Sequence, residues 1–317
     1  MDGRHNLRAA LTALGAFLIY STHDTVVKFL GGSYNPMQIV FFSVCFGMPM
    51  VTIMLMRDRT DGNLIPRHPW WTLTRTIAAV VAGVTAFYAF TVLPLAQTYA
   101  ILFATPLLIT LLAIPVLGER VGIHRGGAIV AGLIGVMIVI QPGSADLTLG
   151  HLAALISAIA GSLSSIIVRK IGREERSVVL LVYPMMANFI LMACALPFVY
   201  VPMPLAHLGL IGVMSICAFA AMLLTIGAYR MGEAVIVAPM QYSQIIWAAL
   251  FGFLFFDEGV QTTTLLGAAV IIASGLYIVL REDNVSSTKP VLRSRWRPEG
   301  VMPRPGIVMR WQKQQRP

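Results

Sequence analysis

A phenol, an imidazole, a carboxyl and an amine lie close together in an otherwise apolar run near the start of the chain, as Tyr20, His23, Asp24 and Lys28. At 100° per residue they fall within an arc of about 140°, so they share one helix face. An ionised carboxylate inside hydrocarbon costs at least ~2.5 kcal/mol unless it is paired or wetted. Two chemistries account for Asp24. With His23 it makes a proton site in a cavity that couples transport to a gradient. With Lys28, its i+4 neighbour in the favourable acid-then-base order, it makes a structural ion pair. A second cluster, Gln241, Tyr242, Ser243 and Gln244 followed by Trp247, puts two amides, a phenol and an indole into another apolar run. Gln241, Gln244 and Trp247 lie within about 120° on the wheel. Amides in hydrocarbon demand partners, so this face reads as a substrate-binding face, with hydrogen bonding between helices as the alternative. Pro239, one turn earlier, frees a carbonyl that can line the same site.

Further polar residues are thinner on the ground. Tyr88 with Thr85 and Thr91, and Gln97, Tyr99 and Thr105, line one half of a cavity or belong to an interfacial aromatic belt. Ser157, Gly161, Ser164 and Ser165 form a small face of the kind that lets helices pack closely. The acids inside the apolar runs form no catalytic pair, and neither a Gly-x-Gly-Asp nor a His-Glu-x-x-His pattern occurs, so an enzyme is not expected. Cys45, Cys194 and Cys217 are scattered without metal-ligand spacing, and no metal or cofactor is expected.

The elements that must position these groups are ten apolar runs, at 7–30, 36–56, 70–93, 95–117, 122–140, 150–168, 177–200, 205–229, 234–256 and 262–280. A hydrocarbon core of ~30 Å takes about 20 residues of helix, so each is long enough to cross. A hydrophobic content of 57%, only 12% charged residues and a mean hydropathy of +0.78 exclude an ordinary soluble domain. The chain therefore reads as an all-α membrane protein with ten transmembrane helices. The first run carries Asp24 and Lys28 and is too long for the apolar part of a cleaved leader. Placing both termini in the cytoplasm puts every Lys and Arg except Lys28 on the cytoplasmic side, Arg75 and Arg230 by snorkelling, and leaves the opposite loops with Asp146, Asp257, Glu258 and His207. Pro94, Pro106 and Pro115 make the fourth run the most strongly kinked.

The sequence also repeats itself. Gly127, Ala128, Val130, Gly135, Ile138 and Val139 match Gly267, Ala268, Val270, Gly275, Ile278 and Val279. Glu119 matches Glu258, Val121 matches Val260, and near the starts Ala13, Leu14, Ser21 and Val27 match Ala154, Leu155, Ser162 and Val168, with Lys28 against Arg169. Five runs per repeat is an odd number, so the second repeat sits upside down relative to the first, an arrangement typical of alternating-access carriers with a midplane substrate site. A channel is the competing class, and counterflow separates the two because only a carrier shows trans-stimulation.

Two five-helix halves, a Pro-containing fourth run ending in Gly118-Glu119-Arg120, and its counterpart from Ala238-Pro239 to Asp257-Glu258 resemble the drug/metabolite transporter superfamily with two EamA-type repeats. The resemblance implies repeats at 9–141 and 149–281 after a short cytoplasmic segment at 1–8, and a central cavity lined mainly by the first, third, fourth, sixth, eighth and ninth helices. It also implies a multi-pass protein of the bacterial inner membrane with a small-molecule substrate. The expected site residues are Gln241, Gln244, Trp247, Tyr242, Tyr88, Tyr20 and His23, with Asp24 and Lys28 as proton site or ion pair. Aromatic rings, amides and hydroxyls with little net charge suit a planar, neutral or zwitterionic molecule, and the overall likeness is to riboflavin importers; amino-acid, S-adenosylmethionine and other metabolite carriers or exporters share the same pattern. No ATP-binding motif occurs, so drive is expected from a gradient. Residues 282–317 hold eight Lys and Arg against three acids, with five prolines, and are expected to be a disordered cytoplasmic tail. Its charge with Trp296 and Trp311 could bind anionic lipid, and no fold supports nucleic-acid binding.

Overall fold

The computed structural model describes residues 3–56, 64–119, 122–142, 148–172, 174–232 and 234–288. Every regular element among them is helical: α1 (Gly3–Gly31), α2 (Pro36–Met56), α3 (Pro69–Val92), α4 (Leu95–Leu102), α5 (Thr105–Leu117), α6 (Ile123–Ile140), α7 (Leu149–Ile171), α8 (Ser177–Val199), α9 (Leu205–Met231), α10 (Ala234–Val237), a 3-10 segment (Ala238–Tyr242), α11 (Ser243–Phe256) and α12 (Thr262–Thr288). Contacts divide the chain into two compact units, Met1–Leu280 and Arg281–Pro317. Of the second, only residues 281–288 are described, as helix. The expectations for the rest of the tail, disorder and lipid binding included, fall outside the described residues.

Among the described residues eight helices are long and apolar enough to cross a membrane, counting α4 and α5 as one. The two expected runs that fall short hold the two polar clusters. The first carries His23, Asp24 and Lys28, and the ninth is divided so that α11 keeps only 14 residues. The fourth run is likewise divided, at Phe103 and Ala104. A proline stands just after or at each break. Pro106 in the first turn of α5 and Pro239 at the start of the 3-10 segment have no N–H to give the preceding turn. Each break thus frees backbone carbonyls, which hydrocarbon tolerates only where protein or water can satisfy them.

Both of these helices end in the same way. Gly118 after α5 and Asp257 after α11 adopt positive φ, 71° and 52°, and reverse the backbone. The next residue's amide then closes on a carbonyl six residues back, Glu119 on Ala113 at 3.2 Å and Glu258 on Gly252 at 3.0 Å. The Gly-Glu and Asp-Glu steps of the sequence are therefore helix stops that set one carboxylate just past each end.

Packing follows a two-fold pattern. α1 lies along α9, and α3 lies along α7, and exchanging the first five runs with the last five converts one pair into the other. The same exchange relates α1 beside α11 to α7 beside α4 and α5, and α2 beside α9 to α8 beside α3. Small residues make the close approaches: Ala9, Ala13, Ala89, Ala100, Ala154 and Ala158 are buried, whereas Leu73, Ile190, Phe253 and Phe255 are exposed. A small-residue interior under an apolar exterior is the pattern of helices that meet in lipid. Ser157 on α7 donates to Ala82 O on α3 at 2.9 Å and a Cβ on Gly161 would lie 3.9 Å from Ala82 Cβ, so this part of the expected small face packs, whereas Ser165 is exposed. α6 and α12 come closer still: a Cβ on Gly135 would lie 2.9 Å from the Gly267 carbonyl oxygen.

Candidate functional site

The two broken helices both present a polar side chain to α1. α4 carries Tyr99 one turn before its break, and α11 carries Gln244 in its first turn after the 3-10 segment. Tyr99 donates its hydroxyl to Asp24 Oδ2 and accepts from Gln244 Nε2 at 3.4 Å. Asp24 Oδ1 takes His23 Nδ1 at 2.7 Å, and the His23 ring packs edge-on against Phe87 of α3 with centroids 5.9 Å apart. An ionised carboxylate only accepts, so this bond puts a proton on Nδ1 and leaves Nε2 as the imidazole's second polar edge. A continuous chain, Gln244–Tyr99–Asp24–His23, thus links three helices, and three of its four members, Gln244, Tyr99 and His23, are buried. Two polar atoms nearby in sequence are buried without a hydrogen-bond partner: Ser21 Oγ, one turn before Asp24, and Trp247 Nε1, one turn after Gln244. An indole N–H can only donate, so Trp247 offers an unused donor beside groups already tied together.

Lys28 does not pair with Asp24, as its i+4 position led one to expect. One turn further along α1, it reaches Glu258 Oε1 at 2.6 Å, donates to Leu93 O, and lies 5.3 Å from the Phe256 ring centroid. Glu258 Oε2 accepts the Leu95 backbone N–H at 3.1 Å. Pro94 precedes that amide, which has no carbonyl partner within the helix, so the carboxylate caps the start of α4 with a favourable charge. The carboxylate that supports Lys28 therefore comes from the other half of the chain. At the opposite end Arg169 Nη2 meets Glu119 Oε1 at 2.9 Å, and the next residue, Lys170, donates to Val116 O at 2.7 Å and lies 4.2 Å over Trp71.

The other expected site residues divide. Gln244 and His23 join the buried chain, with Trp247 one turn away along α11. Tyr20 packs on Phe17 at 6.4 Å between centroids and adjoins the small core of Ala9, Ala13, Ala228 and Val237. Tyr88 lies half-buried against the main core. Tyr242 stands edge-on to Phe103 at 5.1 Å and sends its hydroxyl to Gly275 on α12, where only a glycine leaves room. Gln241 is exposed, so the two amides of the ninth run do not act as one face. Thr85 and Thr91 bond back to carbonyls of their own helix. Gln97 meets His151 at 3.0 Å, and Arg75 donates to Leu180 O on α8 instead of only snorkelling. The sequence marks Tyr99 only as one of several cavity candidates and puts Glu258 in a loop. The repeat correspondence of Glu119 with Glu258 and of Lys28 with Arg169 was the signal that could have found the second pairing.

A helical bundle with a lipid-suited exterior, a buried polar chain among three helices and two of those helices broken is built as a membrane carrier. The chain belongs to the EamA-like transporter family, which matches residues 7–141 and again residues 148–280. It is thus a member of the drug/metabolite transporter superfamily and a multi-pass protein of the bacterial inner membrane. It is similar to an S-adenosylmethionine uptake transporter of Rickettsia felis, with 23% identity over 287 residues covering 89% of this chain and 97% of the relative. It is also similar to a riboflavin transporter of Rhizobium johnstonii, 34% identical over 220 residues that cover 68% of this chain and 72% of that one. A solved crystal structure shares the fold with a TM-score of 0.60 at 19% identity, covering 87% of this chain and 98% of the other.

Proposed function

We propose that the protein takes up a flat, polar-edged metabolite, riboflavin in the first instance, by alternating access through ten crossings with both termini in the cytoplasm. The observation that carries the reading is the buried, unpartnered indole N–H of Trp247, one turn along α11 from the Gln244–Tyr99–Asp24 chain. An unmet donor away from water is costly. A ring carbonyl would satisfy it, while an imide N–H or ribityl hydroxyls would find acceptors on Asp24 and Gln244. The flavin ring system carries the carbonyl and the imide N–H side by side on one edge, and the half-buried Phe87 supplies aromatic surface. The riboflavin transporter among the relatives supports the same choice. The cytoplasmic termini rest on the loop charges, and the ten crossings on the ten apolar runs, eight of which fall on helices long and apolar enough to cross.

One observation favours a second reading. Asp24 is a carboxylate at the heart of the site, and its charge suits a cationic substrate such as S-adenosylmethionine, the substrate in the name of the Rickettsia felis relative. Expression in a riboflavin auxotroph at limiting vitamin, with labelled uptake competed by either compound, decides between them. Growth rescue with competition by riboflavin alone supports the first reading. Uptake of labelled S-adenosylmethionine without riboflavin uptake overturns it. Reporter fusions after Ser33, Ser144 and Gln261 should behave as periplasmic, and those after Gly62, Gly172 and Ser287 as cytoplasmic; an inverted result at any of them overturns the topology.

A further inference from the structure

Among the described residues two pairs of Lys or Arg with Glu join the halves of the chain, beside a His68–Glu174 contact at 2.8 Å, and the repeat correspondence exchanges those two pairs. Lys28 near the end of α1 pairs with Glu258 just past α11, and Arg169 near the end of α7 pairs with Glu119 just past α5. Lys28 corresponds to Arg169 and Glu258 to Glu119, so each repeat gives its base to the other repeat's acid. Both acids stand on the same left-handed helix stop. The pairs differ in one respect. Lys28 and Glu258 are 10% and 20% exposed and are held further by Leu93 O, the Leu95 amide and the Phe256 ring. Arg169 and Glu119 are 51% and 37% exposed.

We infer that these pairs are the two closures of the transport path, that opening either end breaks its own pair, and that the structure, with both pairs formed, holds the Lys28–Glu258 end the more firmly sealed. The inference rests on the carrier reading and the proposed orientation, which makes Lys28–Glu258 the periplasmic closure and Arg169–Glu119 the cytoplasmic one. The physical reason is geometric. Each pair bridges the first helix of one half to the broken helix of the other, α1 to α11 and α7 to the α4–α5 run, and the Gln244–Tyr99–Asp24 site lies among α1, α4 and α11. Opening either end requires the corresponding base and acid to part. In the sealed state the parting also uncovers the α4 amide that Glu258 caps, so the Lys28 end opens only as a concerted step. The solvated Arg169 pair is the weaker barrier.

The test uses no substrate, so its failure is separate from failure of the riboflavin reading. Cys45, Cys194 and Cys217 are replaced by alanine, and Ser21→Cys, at a position buried in this state, serves as the single reporter. Labelling by a membrane-impermeant maleimide is followed in right-side-out and inside-out vesicles. Glu258→Gln, which keeps an acceptor for the Leu95 amide, should raise the rate from the periplasmic face roughly three-fold or more and lower it from the cytoplasmic face. Glu119→Gln should do the reverse. Combining Glu119→Arg with Arg169→Glu should return both rates to the parent values, since that pair is solvated and its swap meets few other demands. If Glu258→Gln accumulates poorly, Lys28→Met, which keeps the packing on Phe256, supplies the same arm. Opposite effects with the faces exchanged would keep the closures and reverse the orientation. Rates that move in the same direction, or do not move, in well-assembled protein overturn the proposal, as does a swapped pair that stays as open as the single variants.

Discussion

Removing the hydroxyl of Tyr99 isolates the chemistry of the site from its packing. Tyr99→Phe keeps the ring, buried between Phe90 at 5.2 Å and Phe103 at 5.9 Å, and deletes the one atom that bonds both Asp24 and Gln244. A hydrogen bond to a charged group is worth about 1.5–3 kcal/mol net, and a neutral one at the long distance of 3.4 Å adds about 0.5 kcal/mol. Cavity water takes over part of this, leaving about 1.4–2.8 kcal/mol, or a ten- to hundred-fold rise in the half-saturation concentration if substrate binding needs Asp24 held in place. Tyr34→Phe is the matched control, because it deletes a hydroxyl that meets His207 Nδ1 at 2.7 Å on a connection outside the site. Initial rates of labelled uptake in vesicles, normalised to protein in the membrane, should show the Tyr99 effect and an unchanged half-saturation for Tyr34→Phe. Equal half-saturation values for both variants at normal abundance would mean that the Tyr99–Asp24 bond is scaffolding, and the reasoning that joins α1 to α4 through a binding site would fall.

Asp24→Asn keeps the size of the side chain and removes its charge. It should cut uptake about ten-fold or more and abolish any stimulation by an imposed inward proton gradient; stimulation that survives in this variant rules out Asp24 and His23 as the coupling site. Trp247→Phe removes only the indole N–H and part of the ring, and Gln244→Ala removes an amide; each should raise half-saturation about two- to ten-fold with normal expression. Gln241→Ala, at an exposed position, should stay near wild type, and a Gln241 effect as large as that of Gln244 would return the ninth run to a single binding face. Gly135→Leu drives a side chain into the Gly267 carbonyl and should cost at least about 1–3 kcal/mol, seen as a lower unfolding midpoint in detergent. An unchanged midpoint would mean that α6 and α12 part without penalty.

The helical class and the family were legible because they rest on patterns that survive in one dimension: long apolar runs, two matched blocks and a Glu after each broken helix. The breaks were half legible. Pro94, Pro106 and Pro115 marked the fourth run as kinked and Pro239 marked a freed carbonyl, but the division into α4 and α5 depends on how Phe103 and Ala104 turn, which prolines alone do not decide; Pro49, Pro184 and Pro197 sit inside continuous helices. The Asp24–Lys28 pair, one of the two readings of Asp24, does not form, because helix-wheel reasoning offers only neighbours on the same helix. In the folded chain Asp24 is claimed by Tyr99 and Lys28 by Glu258, partners distant in sequence that a single-helix argument does not contain. Tyr242 failed for a similar reason, since its apparent place beside two amides is overridden by the gap that Gly275 leaves on α12.

The close crossing of α6 and α12 bears on how the protein is made. The glycine that α6 offers at position 135 leaves the ribosome about 130 residues before its counterpart at 267, on the order of ten seconds of synthesis. Through that interval the last helix of the first repeat stands in the bilayer with a groove cut for a helix that does not yet exist. The two repeats therefore cannot mature one after the other like independent domains. The final insertion event closes both, and a chain stalled before it presents the membrane quality-control machinery with an open seam.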